Sequence, residues 1–285
     1  MQATLLMMVA LSAPALLGAQ ASTLIGSRAA LPQHHSEPVP ATPGIQDNSF
    51  LIEEAYNQET GVVQHIGTYR VQRGTSDFDA VFTQEWPVGS ILHQLSYEVP
   101  LVRAGASPGI GDIGLNYRYQ LVGDGGTSLA VAPRVSLVLP TGDWKRGRGL
   151  GAAGVDLNLP VSYVLSRTIV THFNAGLALT PSARNAAGDR ATFSEFSIGQ
   201  SLILTAHPNV QPMLEIAYAI GNDVIGESRT ARTEALLISP GVRAAFNLAS
   251  GLQIVPGVAV PIGAGPSSGD RGVFVYLSFE HAFRQ

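Results

Sequence analysis

The chain has 285 residues, of which 45% are hydrophobic and only 13% are charged, and it contains 31 glycines, 18 prolines and no cysteine. A soluble domain usually carries about 25% charged residues, yet beyond the N-terminal segment no apolar run approaches the roughly 20 residues of a membrane-spanning helix, which excludes a multi-spanning helical protein. A net charge of −4 excludes the basic surface of a nucleic-acid-binding protein, and the lack of cysteine excludes disulfides, thiolate metal sites and a catalytic thiol.

The N-terminal part of the chain has targeting and linker features. Residues 5–17 are mostly apolar and are followed by Gly18-Ala19-Gln20-Ala21. This pattern is typical of a secretory signal peptide and predicts that residues 1–21 are removed. Residues 22–48 hold four prolines with little periodicity, which predicts a disordered periplasmic arm.

The segment 49–61 precedes the first alternating stretch. Its apolar residues recur at helical spacing in FLIEEAY, with Glu53 and Glu54 on the opposite face. We therefore predict a short periplasmic helix, or a plug that enters the space enclosed by the strands that follow. In the second case the two glutamates are placed to pair with inward-facing arginines.

From residue 62 onward, stretches of 10 to 16 residues alternate between apolar and polar residues and end at Gly, Pro, Asn or Asp. This alternation is the pattern of β-strands. In one stretch Ile113, Leu115 and Tyr117 share a face, while Asn116 and Arg118 lie on the other. Twelve strands are predicted, at 62–73, 77–87, 90–99, 111–122, 127–140, 150–165, 168–180, 191–205, 209–221, 233–248, 251–262 and 272–283.

The predicted connections alternate in length along the chain. Short turns at 87–90, 122–127, 166–167, 206–209 and 249–250 alternate with longer connections at 100–111, 140–150, 181–191, 222–232 and 263–271. An even strand number with short periplasmic turns and longer outer loops is the layout of a transmembrane barrel. The predicted fold class is therefore all-β, a 12-stranded antiparallel transmembrane β-barrel over 62–285 with a short N-terminal helix or plug.

The polar face of each strand is predicted to face the lumen, because a lipid-facing Arg or Lys costs about 2–4 kcal/mol at the membrane midplane. Two interpretations of the inward charges stay open: a network of ion pairs that fills a narrow barrel, or a polar solute path with a charge-selective constriction. The predicted pore-lining residues are Arg70, Glu85, Glu98, Arg118, Arg134, Asp156, His172, Glu195, Glu215, Arg243 and Glu280.

The connection 141–149 carries the basic cluster Lys145, Arg146 and Arg148, and Lys145 is the only lysine of the chain. In a barrel these residues would lie at the outer surface. They are predicted either to contact lipopolysaccharide phosphates or to attract anionic solutes to the mouth.

Three motifs resemble enzyme sites but do not meet the requirements of the chemistry. The G-x-S-x-G pattern at 105–109 places Pro108 after the serine, and proline has no N–H for an oxyanion hole. The two G-x-G-x-x-G patterns, at 109–114 and 149–154, are followed by predicted strands rather than by a helix. No catalytic residue, metal ligand or cofactor is predicted, although the outward His65, His93 and His281 leave a lipid-modifying barrel enzyme open as an alternative.

Several stretches resemble the family of outer-membrane proteins named after the meta-pathway of phenol degradation. They are FLIEEAYNQETGVVQHI (50–66), TQEWPVG (83–89), HQLSYEVP (93–100), GIGDIGLNYRYQL (109–121) and PRVSLVLPTGD (133–143). The resemblance implies an outer-membrane barrel with a role in passing small compounds, aromatic ones among them. It implies no catalytic residues.

We therefore expect a channel or facilitator for small solutes in the bacterial outer membrane. A structural barrel with a blocked lumen, a lipid-modifying enzyme and a secreted soluble β-protein are the alternatives. The expected partners are outer-membrane lipid and lipopolysaccharide, a small-molecule solute and the barrel-assembly machinery, and no nucleic acid is expected.

Overall fold

In the computed structural model, one antiparallel sheet closes on itself into a barrel. The structure describes residue 45 and residues 47–105 and 107–282. The predicted signal peptide and most of the predicted arm lie outside these residues. Within the described part of the chain, no helix has both the length and the apolar character needed to cross a membrane.

Twelve strands make up the wall, and four of them are interrupted by a short irregular stretch. They are β1 (Val62–Gln72), β2 (Phe78–Val88), β3 (Ser90–Arg103), β4 (Gly109–Ile110 and Ile113–Tyr119), β5 (Leu129–Val131 and Arg134–Leu139), β6 (Gly154–Ser166), β7 (Ile169–Arg184), β8 (Arg190–Leu204), β9 (Val210–Gly226), β10 (Arg229–Ala244 and Phe246–Asn247), β11 (Gln253–Ala259 and Ile262–Gly263) and β12 (Gly272–Ala282). Two short 3-10 turns, Trp144–Arg146 and Gly265–Ser267, lie between strands.

Each strand pairs with its neighbours in the chain, and the first and last strands close the barrel. β1 pairs with β12 from Val62 opposite Ala282 to Gln72 opposite Gly272. We call the rim where β1 begins and β12 ends the N-terminal rim, and the other rim the opposite rim. The predicted fold class, a closed 12-stranded antiparallel barrel, is confirmed.

The strand register separates an apolar outer face from a polar inner face. Leu115 lies opposite Leu137 on the outside, and the next pair, Asn116 opposite Ser136, lies on the inside. Leu115 and Leu137 are exposed, whereas Asn116 and Ser136 are buried. Exposed apolar side chains continue around the barrel with Leu95, Leu159, Phe173, Phe196, Leu214, Ile216, Val258, Val275 and Leu277. Such an apolar exterior is what a membrane barrel presents to lipid.

At the opposite rim, several connections that were predicted to be long are instead part of the strands. β9 and β10 pair as far as Gly226 opposite Arg229, so only Glu227 and Ser228 connect them. β3 and β7 likewise run on to Arg103 and Arg184. In β9, pairing with β10 keeps residues 222–226 extended although polar residues and glycine interrupt their alternation. The connection between β5 and β6 is long, as predicted.

Candidate functional site: a plugged barrel lumen

Residues 47–58, which we call the plug, lie inside the barrel near the N-terminal rim. They contain no helix, so of the two forms predicted for 49–61 the structure has the plug and not the helix. A helix satisfies its own backbone N–H groups, whereas here side chains of the wall accept from them. The plug contacts β10, β12, β9, β7, β6, β4 and β3 through hydrogen bonds, and so follows the inner circumference.

The backbone N–H groups of the plug donate to oxygens of inward-facing side chains. Leu51 and Ile52 both donate to Glu215 Oε1, at 2.8 and 3.2 Å. Further bonds run from Glu53 to Asn174 Oδ1 at 2.8 Å, from Ala55 to Ser162 Oγ at 2.7 Å, from Asn57 to Gln120 Oε1 at 2.9 Å and from Gln58 to Gln94 Oε1 at 2.7 Å. Buried backbone polar groups of an irregular segment are thereby satisfied.

Two arginines of the wall bind the carbonyl oxygens of the same region. Arg118 donates to Glu54 O at 3.2 Å and to Tyr56 O at 2.5 Å. Arg243 donates to the carbonyl oxygens of Ile45, Asp47 and Asn48 at 3.2, 2.6 and 2.5 Å. Two of the four predicted pore-lining arginines therefore bind backbone carbonyl groups of the plug and of Ile45.

Asp47 anchors the start of the plug to the strands that close the barrel. Its Oδ1 accepts from Tyr276 Oη at 2.5 Å and from Gln64 Nε2 at 2.9 Å, and its Oδ2 accepts from Ser278. Asp47 and Ile45 are buried, so the predicted arm, which extends to residue 48, ends too late. Ile45, Asp47 and Asn48 are all bound by Arg243 of the wall.

The apolar side chains of the plug occupy niches where the wall has glycine. A Cβ at Gly199 would lie 2.2 Å from Ile52 Cδ1, and a Cβ at Gly257 would lie 2.4 Å from the Phe50 ring. The Phe50 ring also packs on Tyr276 with 5.5 Å between centroids. A larger residue at either glycine would force the Ile52 or Phe50 side chain out of its niche.

The two glutamates of the plug are in different environments. Glu53 forms an ion pair with Arg134 at 2.8 Å, and its side chain is 23% exposed. Glu54 is buried, and burial together with the charge of Asp47 raises its pKa to about 8, against the smaller lowering effect of Arg243 and Arg118. Of the two glutamates predicted to pair with wall arginines, Glu53 does so.

The predicted pore-lining residues all lie on inner-face positions of their strands, and several already have partners in the wall. Arg70 pairs with Asp79 at 2.9 Å. Glu98 accepts from Asn116 at 3.1 Å, and Glu85 accepts from Gln94 at 2.6 Å. The remaining members, His172, Asp156, Glu195 and Glu280, lie opposite Ser162, Ser136, Ala178 and Gln64.

The basic cluster of the β5–β6 connection divides into two parts. Lys145 and Arg146 are exposed, whereas Arg148 donates to Asp143 Oδ2 at 3.2 Å and to Ser107 O at 3.3 Å. Arg148 therefore ties this connection to the β3–β4 connection.

Near the N-terminal rim, the outward His93 and His65 lie in an aromatic belt, where His93 Nδ1 is 2.7 Å from Tyr117 Oη and the His65 ring is 4.8 Å from Phe279.

The uncharged side chains that bind the plug are not among the predicted site residues. They are Gln64, Gln94, Gln120, Ser162 and Asn174. Each falls on the polar face of a predicted strand or at its end, within a few residues of the N-terminal rim. Inward-facing polar side chains, most of them amides, that recur at a similar distance from the N-terminal rim are the sequence pattern that could have identified them.

A scan against protein-family models gives no match, and a search of curated proteins gives none either. Among solved structures, an outer-membrane channel from Pseudomonas putida F1 is similar, with a TM-score of 0.60 and 12% identity over 80% of this chain and 98% of that chain. The NanC porin is similar with a TM-score of 0.50 and 9% identity over 76% of this chain and 98% of that chain. The chain therefore has the fold of porin-like outer-membrane β-barrels.

Proposed function

We propose that the protein is a gated channel for small solutes in the bacterial outer membrane, with the N-terminal rim in the periplasm and the plug as the gate. The observation that carries the proposal is the way in which the plug is held, by hydrogen bonds to wall side chains. Such bonds contribute about 0.5–1.5 kcal/mol each, or about 1.5–3 kcal/mol where one partner is charged, because water can replace either partner. A plug held in this way can leave its seat while the barrel stays folded.

Two further observations support a solute path. The inner face carries charged and amide side chains rather than a packed apolar core. The similar solved barrels are described as a channel and a porin. The resemblance to the meta-pathway proteins extends the proposal to aromatic compounds such as phenols, whose hydroxyl groups inner-face carboxylates and amides can bind.

A structural barrel with a blocked lumen is the second candidate. The complete burial of Glu215, His172 and Asn174 favours it, because a permanently filled lumen has such side chains in fixed partnerships. The two candidates differ in whether the plug moves.

An engineered disulfide separates them, because the natural chain has no cysteine. Ala55 N donates to Ser162 Oγ at 2.7 Å, so the double variant Ala55→Cys/Ser162→Cys places two thiols at the point where plug and wall meet. Single-channel currents are recorded in planar bilayers under oxidising and then reducing conditions. We expect openings only after reduction, and openings under both conditions in each single variant.

Equal currents from the oxidised and reduced double variant, with the disulfide verified by mass, would show that the plug is not the gate. Absence of current under both conditions, in protein shown to be folded, would support the structural barrel instead.

A further inference from the structure

The barrel wall binds the main chain of the plug along most of its length. In the described stretch 51–58, every residue has a backbone N–H group or carbonyl oxygen bonded to an inward-facing side chain. Because all residues except proline carry the same main-chain groups, this mode of binding does not depend on one sequence. The wall side chains that make these bonds, which we call the seat, are Gln94, Arg118, Gln120, Ser162, Asn174 and Glu215.

Two amides of the seat each bind the main chain at two points. Asn174 accepts from Glu53 N at 2.8 Å and donates to Glu53 O at 2.9 Å. Gln120 accepts from Asn57 N at 2.9 Å and donates to Ala55 O at 2.8 Å. A side-chain amide has both an acceptor oxygen and donor N–H groups, so it pairs with a peptide main chain as a neighbouring β-strand would.

The stretch is close to extended in the seat. Leu51 N donates to Glu215 on β9 and Gln58 N donates to Gln94 on β3, so the stretch passes from β9 across the intervening strands to β3. Neighbouring strands lie about 4.8 Å apart, and a residue advances about 1.5 Å in a helix but about 3.3–3.6 Å when extended. An extended chain of this length covers the arc inside the wall, whereas a helix is too short.

The seat also has niches for two alternate side chains. Phe50 and Ile52 fill the space that Gly257 and Gly199 leave in the wall. Leu51, between them, is only partly buried. Main-chain bonds along a segment together with pockets for alternate side chains are a general means of binding extended peptides, in which the pockets supply the selectivity.

The donors and acceptors of the seat define the ligand class. Glu215 needs N–H donors, because it accepts from two successive backbone groups, and Arg118 needs oxygen acceptors. A carboxylate offers no donor to Glu215, and an amine offers no acceptor to Arg118. A peptide offers N–H and C=O groups in alternation along its length and so matches both.

We propose that the seat is a binding site for short extended peptides, and that the plug is its tethered occupant. A peptide as long as the stretch 50–58, with apolar side chains two positions apart, fits the main-chain bonds and both niches. The inference rests on the proposed function only in that the natural plug must leave the seat before another peptide enters.

The test uses a full-length variant whose own plug is weakened. Phe50→Ser with Ile52→Ser removes the side chains that fill the niches and leaves the seat unchanged. The ligand is the synthetic peptide NSFLIEEAYNQ, with the sequence of residues 48–58, and its binding in detergent is measured by calorimetry. We expect this variant to bind it about tenfold more tightly than the wild type, whose tethered plug competes at an effective concentration of about 1 mM. Binding to neither protein, with the barrel shown to be folded by heat-modifiable gel migration, would overturn the proposal.

A second peptide tests whether the wall binds the main chain. It has the same side chains but is N-methylated at the positions of residues 51, 53 and 55, which removes three N–H groups that donate to the seat. We expect it to bind about tenfold more weakly, because each missing donor leaves a buried acceptor unsatisfied. Equal binding of the two peptides would show that only side chains are bound and would overturn the proposal.

Two glutamine variants, each added to Phe50→Ser/Ile52→Ser, locate the bound peptide. Gln120→Leu removes two bonds to the main chain and should weaken binding about fivefold. Gln72→Leu removes an inner-face amide near the opposite rim, where Gln72 donates to Asp270, and should change binding by less than about twofold. Equal losses in both variants would place the peptide outside the seat and overturn the site.

The disulfide variant Ala55→Cys/Ser162→Cys provides a second route that leaves the niches intact. Oxidation locks the plug in the seat, so peptide binding should appear only after reduction, and equal binding in both states would overturn the site. Peptide binding without any current in bilayers would leave the site standing and remove the channel function. Current without peptide binding would do the reverse.

Discussion

Glu53 and Arg134 form a two-point ion pair between the plug and β5, with Nη2–Oε1 at 2.8 Å and Nε–Oε2 at 3.2 Å. Arg134 is held in place by donating to Asn116 Oδ1 at 3.2 Å and to Ser136. Glu53 is the more accessible partner, with 23% of its side chain exposed. This pair is a salt bridge between a side chain of the plug and the wall.

The first prediction concerns this pair. Glu53→Gln keeps the size of the side chain but removes its charge, and hydrogen bonds to charged groups contribute about 1.5–3 kcal/mol. Losing much of that contribution should raise the open fraction in bilayers about tenfold, since 1.4 kcal/mol is a factor of ten. Glu59→Gln, an exposed residue just after the plug, is the control, and an unchanged open fraction in Glu53→Gln would contradict the proposed gate.

A second prediction follows from the pKa of Glu54, which is raised to about 8 in the closed protein. Burial is the largest cause, and the negative charges of Asp47 and Glu280 add to it. The positive charges of Arg243 and Arg118 lower the pKa by less. In the released plug the group is in water, and its pKa returns to about 4.3. The closed state therefore binds the proton more tightly, so closure is fully stable below the lower value and is weakened progressively as the pH rises to about 8. Channel openings should become more frequent between pH 5 and pH 8.5.

The matching variant is Glu54→Gln, which cannot ionise. Its open fraction should show a flatter pH dependence over the same range, at a level close to that of the wild type at low pH. A wild-type open fraction that falls as the pH rises would reverse the sign of this argument.

The faces of the wall give a third prediction, tested on two adjacent residues of β5. Leu137 points outward and is 46% exposed, so Leu137→Arg should impair insertion by about 2–4 kcal/mol. Val138 points inward, opposite Gly114 and Gly154 on the neighbouring strands, and a lumen-facing arginine does not meet lipid, so Val138→Arg should fold. The folded fraction after refolding into lipid vesicles is measured by heat-modifiable gel migration, and equal folding of both variants would disprove the face assignment.

The fourth prediction concerns Asp112, which holds the β5–β6 connection. Its carboxylate accepts from Gly142 N at 2.9 Å and from Leu150 N at 2.8 Å. Asp112→Ala should loosen the connection and speed cleavage by a lysine-specific protease, which has the single target Lys145. Asp124→Ala, on the β4–β5 connection at the N-terminal rim, should leave the cleavage rate unchanged, and equal rates in wild type and Asp112→Ala would refute this role.

The barrel wall was predictable from sequence because its signal is local. Alternation such as Leu115 beside Asn116 reports directly which side chain meets lipid. The alternation does not predict a strand where pairing with a neighbouring strand alone keeps the chain extended. From Asn222 to Gly226 in β9, for example, polar residues and glycine indicate a loop.

The plug was only partly predictable because its conformation depends on distant residues. The spacing of Leu51, Ile52, Ala55 and Tyr56 favours a helix in isolation. Leu51 instead donates to a residue 164 positions away and Glu53 to one 121 positions away. No local pattern carries that information, although the inward position of Glu215 and Asn174 could be predicted.

The same separations in sequence set an order of events during biogenesis. Contacts between residues far apart in the chain form late, because long loops must close first. The plug binds partners from β3 to β12, including Tyr276 on the last strand. It therefore cannot form all of its contacts before β12 has paired with β1. We therefore expect every newly made molecule to pass through an unplugged barrel before the plug takes its place.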